Sequence, residues 1–265
     1  MGWGDEIMVS SIAKRIHAMT NLPVTVCDEN GQPRKHGIWD GLSYILQPPQ
    51  KGYPDVLVYN GPGMRHYYRG MSGNRILWRK WDIAPGEIRL TDEERQWARQ
   101  NTPAMPFIVL EPTFKSKGGG GVNKDWGTQR WMDVFQKLRG AGFLCARLGN
   151  PLPGGGIGNF YLETPTFRHA CAILERSIGY VGHEGGLHHA AAALGKKAVV
   201  VFGGYISPEV TGYSFHRNLY TPDERYPLGC GTVAPCEHCR EAQAAISVEQ
   251  VVEAVKEMVN APAKK

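Results

Sequence analysis

The sequence predicts an α/β fold built on a parallel sheet with helices on both faces. Three observations predict it. Short apolar runs alternate with amphipathic stretches through the second half, the order that crossover connections between parallel strands require. Glycine is abundant, at 33 of 265 residues, and much of it flanks those runs, as tight strand-to-helix turns demand. The composition, 42% apolar and 21% charged, supports a buried core rather than disorder.

The elements follow in order. Gly2-Trp3-Gly4-Asp5 reads as a turn, after which Ile7, Met8, Ile12, Ile16 and Met19 space one face of a helix from Glu6 to Met19. Pro23 opens a strand, Val24 to Cys27, and the turn Asp28-Glu29-Asn30-Gly31 closes it. Asp55 to Tyr59 reads as another strand. Residues 61–82 interleave cations with aromatics and show no periodicity, so two readings stand side by side. Arg65, Arg69, Arg75, Arg79 and Lys80 with Tyr67, Tyr68, Trp78 and Trp81 form a surface for an anionic acceptor, or the aromatics are core beneath a solvated charged face. Thr91 and Glu94 form a capping box that starts a helix to Arg99. Asn101-Thr102-Pro103 ends it and places a domain boundary, giving domains 1–102 and 103–265.

The second half reads as strand Phe107–Leu110, a glycine loop from Lys115 to Asn123, helix Thr128–Gly140, strand Gly142–Leu148 and helix Thr164–Arg176. Strand Ile178–Val181, helix Gly185–Leu194, strand Ala198–Phe202 and helix Val248–Val259 complete it.

The net charge of +5 favours an anionic substrate or partner. No stretch is long and apolar enough to span a bilayer, and Met1 to Val9 carries two acids and no basic segment, so neither an anchor nor a secretory signal is expected. Six cysteines, three of them scattered in apolar surroundings, point to free thiols in a reducing cytoplasm.

Chemistry concentrates between Ile178 and Gly204: apolar strand, acidic-glycine turn, alanine-rich helix, glycine stop, apolar strand. A helix start offers free N–H groups and partial positive charge, and Gly185 and Gly186 let a ligand approach that backbone, as a phosphate seat requires. A turn that serves packing alone is the competing reading.

The stretch Gly182-His183-Glu184-Gly185-Gly186, with the following His189-Ala-Ala-Ala helix, Gly195-Lys196 and the strand ending Phe202-Gly203, resembles the C-terminal signature of glycosyltransferase family 9, the heptosyltransferases of lipopolysaccharide core synthesis. Four further stretches, in the family's order, are similar to its motifs: Gly4-Asp5 before a helix, Glu111-Pro112-Thr113 at a strand end, Lys124-Asp125-Trp126 before a helix, and Thr166 to Leu174. The likeness is strong over residues 105–255 and weaker over 1–100. It implies two Rossmann-like domains facing across a cleft (GT-B type), the first shortened, with the acceptor in 1–102 and the nucleotide sugar in 103–265. Glu184 departs from the family's usual Asp by one methylene, enough to bear on which sugar is taken.

Carried onto this sequence, the resemblance implies Asp5 as catalytic base, a role that competes with helix capping. It implies Thr113, Lys124, Gly185 and Gly186 at the donor diphosphate and Glu184 at the donor sugar. Lys115, Lys117, His183, His188, Arg65, Arg69 and Arg79 are further possible phosphate or acceptor contacts. A single base implies inversion, and the leaving group is handled without a metal. No cofactor is implied beyond the nucleotide-sugar substrate, an ADP-sugar by analogy. Cys230, Cys236, His238 and Cys239 have the Cys-x-x-Cys spacing of a zinc knuckle but no second clean pair, so free thiols are expected. The expected partners are a nucleotide sugar and a saccharide or other anionic acceptor. Transfer to nucleic acid or a modified base, and a non-catalytic nucleotide-sugar-binding module, are the alternatives. A dinucleotide oxidoreductase is set aside, because no Gly-x-Gly-x-x-Gly follows a first strand.

Overall fold

The computed structural model describes residues 2–50, 55–112, 121–149 and 156–260. The first half contains α1 (Trp3–Thr20), β1 (Val24–Cys27), β2 (Ile45–Leu46), β3 (Val56–Tyr59), β4 (Tyr68–Ser72), β5 (Arg75–Trp78) and α2 (Asp92–Asn101). The second contains β6 (Ile108–Glu111), α3 (Thr128–Gly140), β7 (Cys145–Leu148), β8 (Phe160–Leu162), α4 (Phe167–Arg176), β9 (Gly179–His183) and α5 (Gly186–Ala193). It ends with β10 (Lys197–Val201), α6 (Pro208–Thr211), β11 (Arg217–Leu219), α7 (Glu237–Ala244) and α8 (Val248–Asn260).

Two parallel sheets organise these elements. One has three strands in the order β2-β1-β3, and the other has six in the order β11-β10-β9-β6-β7-β8. Counted from β6, the second is the 3-2-1-4-5-6 order of a doubly wound sheet. Side chains alternate across it, as period-two geometry requires. Ile108, Leu110, Val181 and Val199 join Trp131, Val134 and Val255 beneath α3 and α8. Val109, Tyr180, Ala198 and Val200 face the other way, into a cluster shared with α4 and α5. That cluster runs on without a break to Ile7, Val24 and Trp39 of the first half.

The two halves meet where α1 crosses α5. Gly4 makes this possible: a Cβ there would lie 2.6 Å from His189 Cδ2. Strands β4 and β5 form an antiparallel hairpin that reaches across the same seam. Trp78 Nε1 donates to the Tyr205 carbonyl at 2.9 Å, Trp81 Nε1 to the Val210 carbonyl at 2.8 Å, and Arg75 Nε to the Cys230 carbonyl at 2.9 Å.

Several expectations are adjusted. Helix α1 begins at Trp3, three residues early, because the Gly2 N–H donates to the Asp5 carboxylate at 3.2 Å and closes the first turn. Asp5 is therefore the third helical residue and not the N-cap. The Thr91–Glu94 capping box is present, and Thr166 caps α4. In residues 61–82 the tryptophans are structural: Trp78 is buried, and both indoles are spent on backbone carbonyls. Strands β2, β8 and β11 were not expected; at two or three residues they carry no pattern and exist by pairing with a longer neighbour.

Candidate functional site

Strands β6 and β9 are neighbours in the sheet but lead to opposite sides of it, so a crevice opens beyond their carboxyl ends. A cleft of about 810 Å³ lies there. Lys124, Glu184, Gly185 and Gly186 form one wall, and Asp5, Arg65 and Tyr67 form the other. The sequence-predicted base, diphosphate cation, sugar acid and glycine turn thus share one cavity.

Glu184 follows β9 directly and is 4% exposed. Its carboxylate is ion-paired with the Lys124 ammonium, and its Oε1 lies 3.2 Å from His189 Nε2. Burial pushes this carboxyl up, but the Lys124 charge and the His189 contact outweigh it and hold it far below the usual range. His189 is itself fixed through Nδ1 to the Tyr213 hydroxyl at 2.9 Å.

Lys124 is positioned by its neighbours. The Asn123 amide donates to the Thr232 and Ala234 carbonyls at 2.5 and 2.7 Å, and its oxygen accepts from Cys236 N at 3.0 Å. Trp126 is fully buried and donates from Nε1 to the Gln243 and Ile246 carbonyls at 3.0 and 3.1 Å. His183 Nε2 accepts from Trp126 N and from Trp131 Nε1, both at 3.2 Å. The Lys-x-Trp pattern is an anchor and its payload: Trp126 holds the chain so that Lys124 reaches Glu184.

Asp5 is held from further away in the sequence. Its Oδ1 accepts from the Tyr67 hydroxyl and lies 3.1 Å from Arg65 Nε. Burial and the neighbouring Asp5 charge push the Tyr67 phenol well up, which keeps it a donor. Arg65 also donates to the Tyr68 hydroxyl and lies over that ring, 4.8 Å from its centroid.

Other expected contacts are placed elsewhere. His188 is fully buried among the rings of Phe202, Tyr213 and His216 and does not line the cleft, so it is no phosphate contact. His183 does line the cleft, and its Nε2 accepts from the Trp126 and Trp131 N–H groups. Arg69 is exposed and off the cleft, and Arg79 donates to the His66 carbonyl at 2.5 Å. Thr113, Lys115 and Lys117 lie outside the described residues. Tyr67 lines the cleft beside Arg65, as one of the two readings of residues 61–82 allowed, whereas Tyr205 and the Trp3–Phe167 stack, with centroids 4.6 Å apart, are cleft residues that sequence reasoning did not place there. Nothing local in the sequence marks them; long-range packing brings them in.

A second cluster lies behind the Lys124 turn. Cys230 Sγ is 3.9 Å from Cys236 Sγ and 3.2 Å from Cys239 Sγ, and with a His238 ring nitrogen these atoms all lie within 4.8 Å of one another. Glu184, His188 and His189 form a similar triple, but the Lys124 ammonium already neutralises that carboxylate.

No protein-family model matches the chain, and no curated protein matches it in sequence. Solved structures do match in shape. A glycosyltransferase family 9 structure from Veillonella parvula aligns over 98% of this chain and 95% of its own, with a TM-score of 0.65 and 13% identity. The chain has the family 9 glycosyltransferase fold. The bacterial iron-containing dodecameric glycosyltransferase TibC, from enterotoxigenic E. coli, aligns over 98% of this chain and 76% of its own at a TM-score of 0.66 and 14% identity. The E. coli ADP-heptose lps heptosyltransferase II shares 16% identity over 74% of this chain, with a TM-score of 0.48. This chain spans only 58% of that protein's length. On this fold the cleft beyond β6 and β9 is the topological switch point of the sheet, where open α/β sheets bind their ligands.

Proposed function

We propose that the protein is a glycosyltransferase that passes a sugar from a nucleoside diphosphate to an acceptor hydroxyl with inversion. The observation that carries this reading is the shared cleft, with Asp5 on one wall and the Lys124–Glu184 pair beside the start of α5 on the other. Residues 103–265 hold the donor and residues 1–102 the acceptor.

The hydroxyl proton passes to Asp5 as the acceptor oxygen attacks the anomeric carbon, and the bond to the diphosphate breaks on the opposite face. The Gly185 and Gly186 N–H groups and Lys124 take up the negative charge of the departing diphosphate, a task that needs no metal at the sugar. Glu184 keeps lone pairs free of Lys124 and His189 for sugar hydroxyls. TibC has been seen with ADP-D-beta-D-heptose, so an ADP-sugar is the first donor to try. Transfer to nucleic acid is disfavoured, because Trp78 and Trp81 are spent on packing. Calorimetry with ADP, UDP, GDP and CMP, without added divalent cations, tests the reading: one diphosphate binds clearly, whereas binding by none of them removes the donor seat.

A second reading concerns the cysteines. Cys230, Cys236, His238 and Cys239 hold one structural metal ion. The 3.9 Å between the Cys230 and Cys236 sulfurs is near the tetrahedral edge of about 3.8 Å that zinc–thiolate bonds imply, the 3.2 Å between those of Cys230 and Cys239 is shorter than it, and three thiolates with one imidazole suit zinc or iron. Once bound, the ion would only cross-link the loop that receives the Asn123 side chain. Elemental analysis of protein purified without chelator is expected to find about one ion per chain, lost in the Cys236→Ser/Cys239→Ser variant; metal-free protein would leave the free thiols expected from the lack of a second clean pair.

A further inference from the structure

Asp5 is crowded for a group that must receive a proton. Oδ1 takes the Tyr67 hydroxyl and faces Arg65 Nε, and Oδ2 takes the Gly2 N–H. The acceptor's hydroxyl must displace one of these. Tyr67 and Gly2 are fixed by the hairpin and by the turn of α1, which leaves Arg65 as the partner able to withdraw.

Arg65 is built for that. Its Nε is buried 3.1 Å from Oδ1 of Asp5, an ion pair without a well-aligned hydrogen bond. A charged donor held by proximity more than by alignment can turn to an oxygen that approaches from another side. The side chain stands on the wall between the main cleft and an adjoining hollow of about 470 Å³, so an anion has room on its far side. The other cations of this segment are committed or turned away. Arg75 is bound to the Cys230 carbonyl and Lys80 to Glu209, and Arg69 is off the cleft, while Arg79 lines the adjoining hollow and donates from Nε to the His66 carbonyl.

We propose that Arg65 gates the base: it occupies Asp5 in the resting protein and is drawn away by an anionic group of the acceptor, which frees Oδ1 for the hydroxyl. The gate rests on the assignment of Asp5 above. It sets the acceptor's chemistry. The anion is a carboxylate or phosphate close enough to the reacting hydroxyl for Arg65 to reach it while the hydroxyl meets Asp5. An acceptor without it meets a base already engaged. Arg65 is thus a positioning and specificity residue; the proton goes to Asp5.

Competition for Arg65 makes the gate measurable without turnover. Inorganic phosphate is titrated by calorimetry into the ADP-saturated protein at low ionic strength. Asp5→Asn, which keeps an oxygen for the Gly2 N–H, should tighten phosphate about tenfold by removing the competing charge. Arg65→Met should weaken it at least tenfold, and Arg65→Lys should retain part. A structural role for Arg65 predicts no tightening in Asp5→Asn. Unchanged or weaker phosphate binding in Asp5→Asn, or unchanged binding in Arg65→Met, overturns the gate. ADP affinity and near-ultraviolet circular dichroism of each variant report the donor seat and the fold separately. Failure of the wild type to bind ADP or any other diphosphate therefore counts against the transferase reading, and the contrast between variants decides the gate.

Discussion

Glu184 and Asp5 face one cleft and are held there in opposite ways. Glu184 belongs to a continuous stretch: a strand ends, the acid follows, two glycines start a helix, and five residues later His189 turns back onto the carboxylate. Only Lys124 comes from afar, carried by the buried Trp126. Asp5 has its own turn of helix and then depends on Arg65 and Tyr67, some sixty residues on and brought over by the hairpin. The wall proposed for the donor is a motif, whereas the wall proposed for the acceptor is a product of packing.

The largest expected effect tests how tightly the donor wall is bound. Lys124→Met leaves a buried carboxylate without its cation, which costs about 3–5 kcal/mol. Adding Glu184→Gln should return much of that loss in urea denaturation. If the double variant is no more stable than the single one, the pair is not what holds this wall together.

Asp5→Asn should show the contrary pattern on the acceptor wall. Turnover falls about 100-fold or more while stability changes by about 1 kcal/mol or less, because the amide oxygen can still close the helix start. Retained turnover with an ADP-sugar donor would remove Asp5 as base.

A pH dependence tests the support beneath the wall that carries Lys124. Burial pushes the His183 and His216 imidazoles down to about 4 from 6.5. Between those values the unfolded chain binds protons that the folded chain refuses, so stability is full above pH 6.5 and declines as pH falls toward 4. His183→Gln should make the decline shallower; an identical slope would mean that His183 is not the neutral acceptor beneath Trp126.

The same contrast explains what was legible in the sequence. The Gly182–Gly186 turn between a strand and a helix was legible because it rests on contiguous residues, and Lys124 and Asp5 line the same cleft. The partnership of Lys124 with Glu184, sixty residues apart, left no trace in the spacing. His188 and His189 are adjacent in sequence, yet one helical step of about 100° separates their directions, so His189 meets Glu184 while His188 enters the core. The aromatics of 61–82 gave no period because they sit on a short hairpin whose partners are backbone carbonyls of the second half.

That hairpin limits how the protein can be rebuilt. Arg75 bridges to Thr232, Ile76 N donates to the Gly231 carbonyl at 2.8 Å, and two indoles are fastened to residues 205 and 210. A chimaera spliced at residue 102 would inherit plugs from one parent and sockets from another. Exchanging the first half between relatives therefore requires moving residues 65–81 together with 203–233, although the two segments lie more than a hundred positions apart in the sequence.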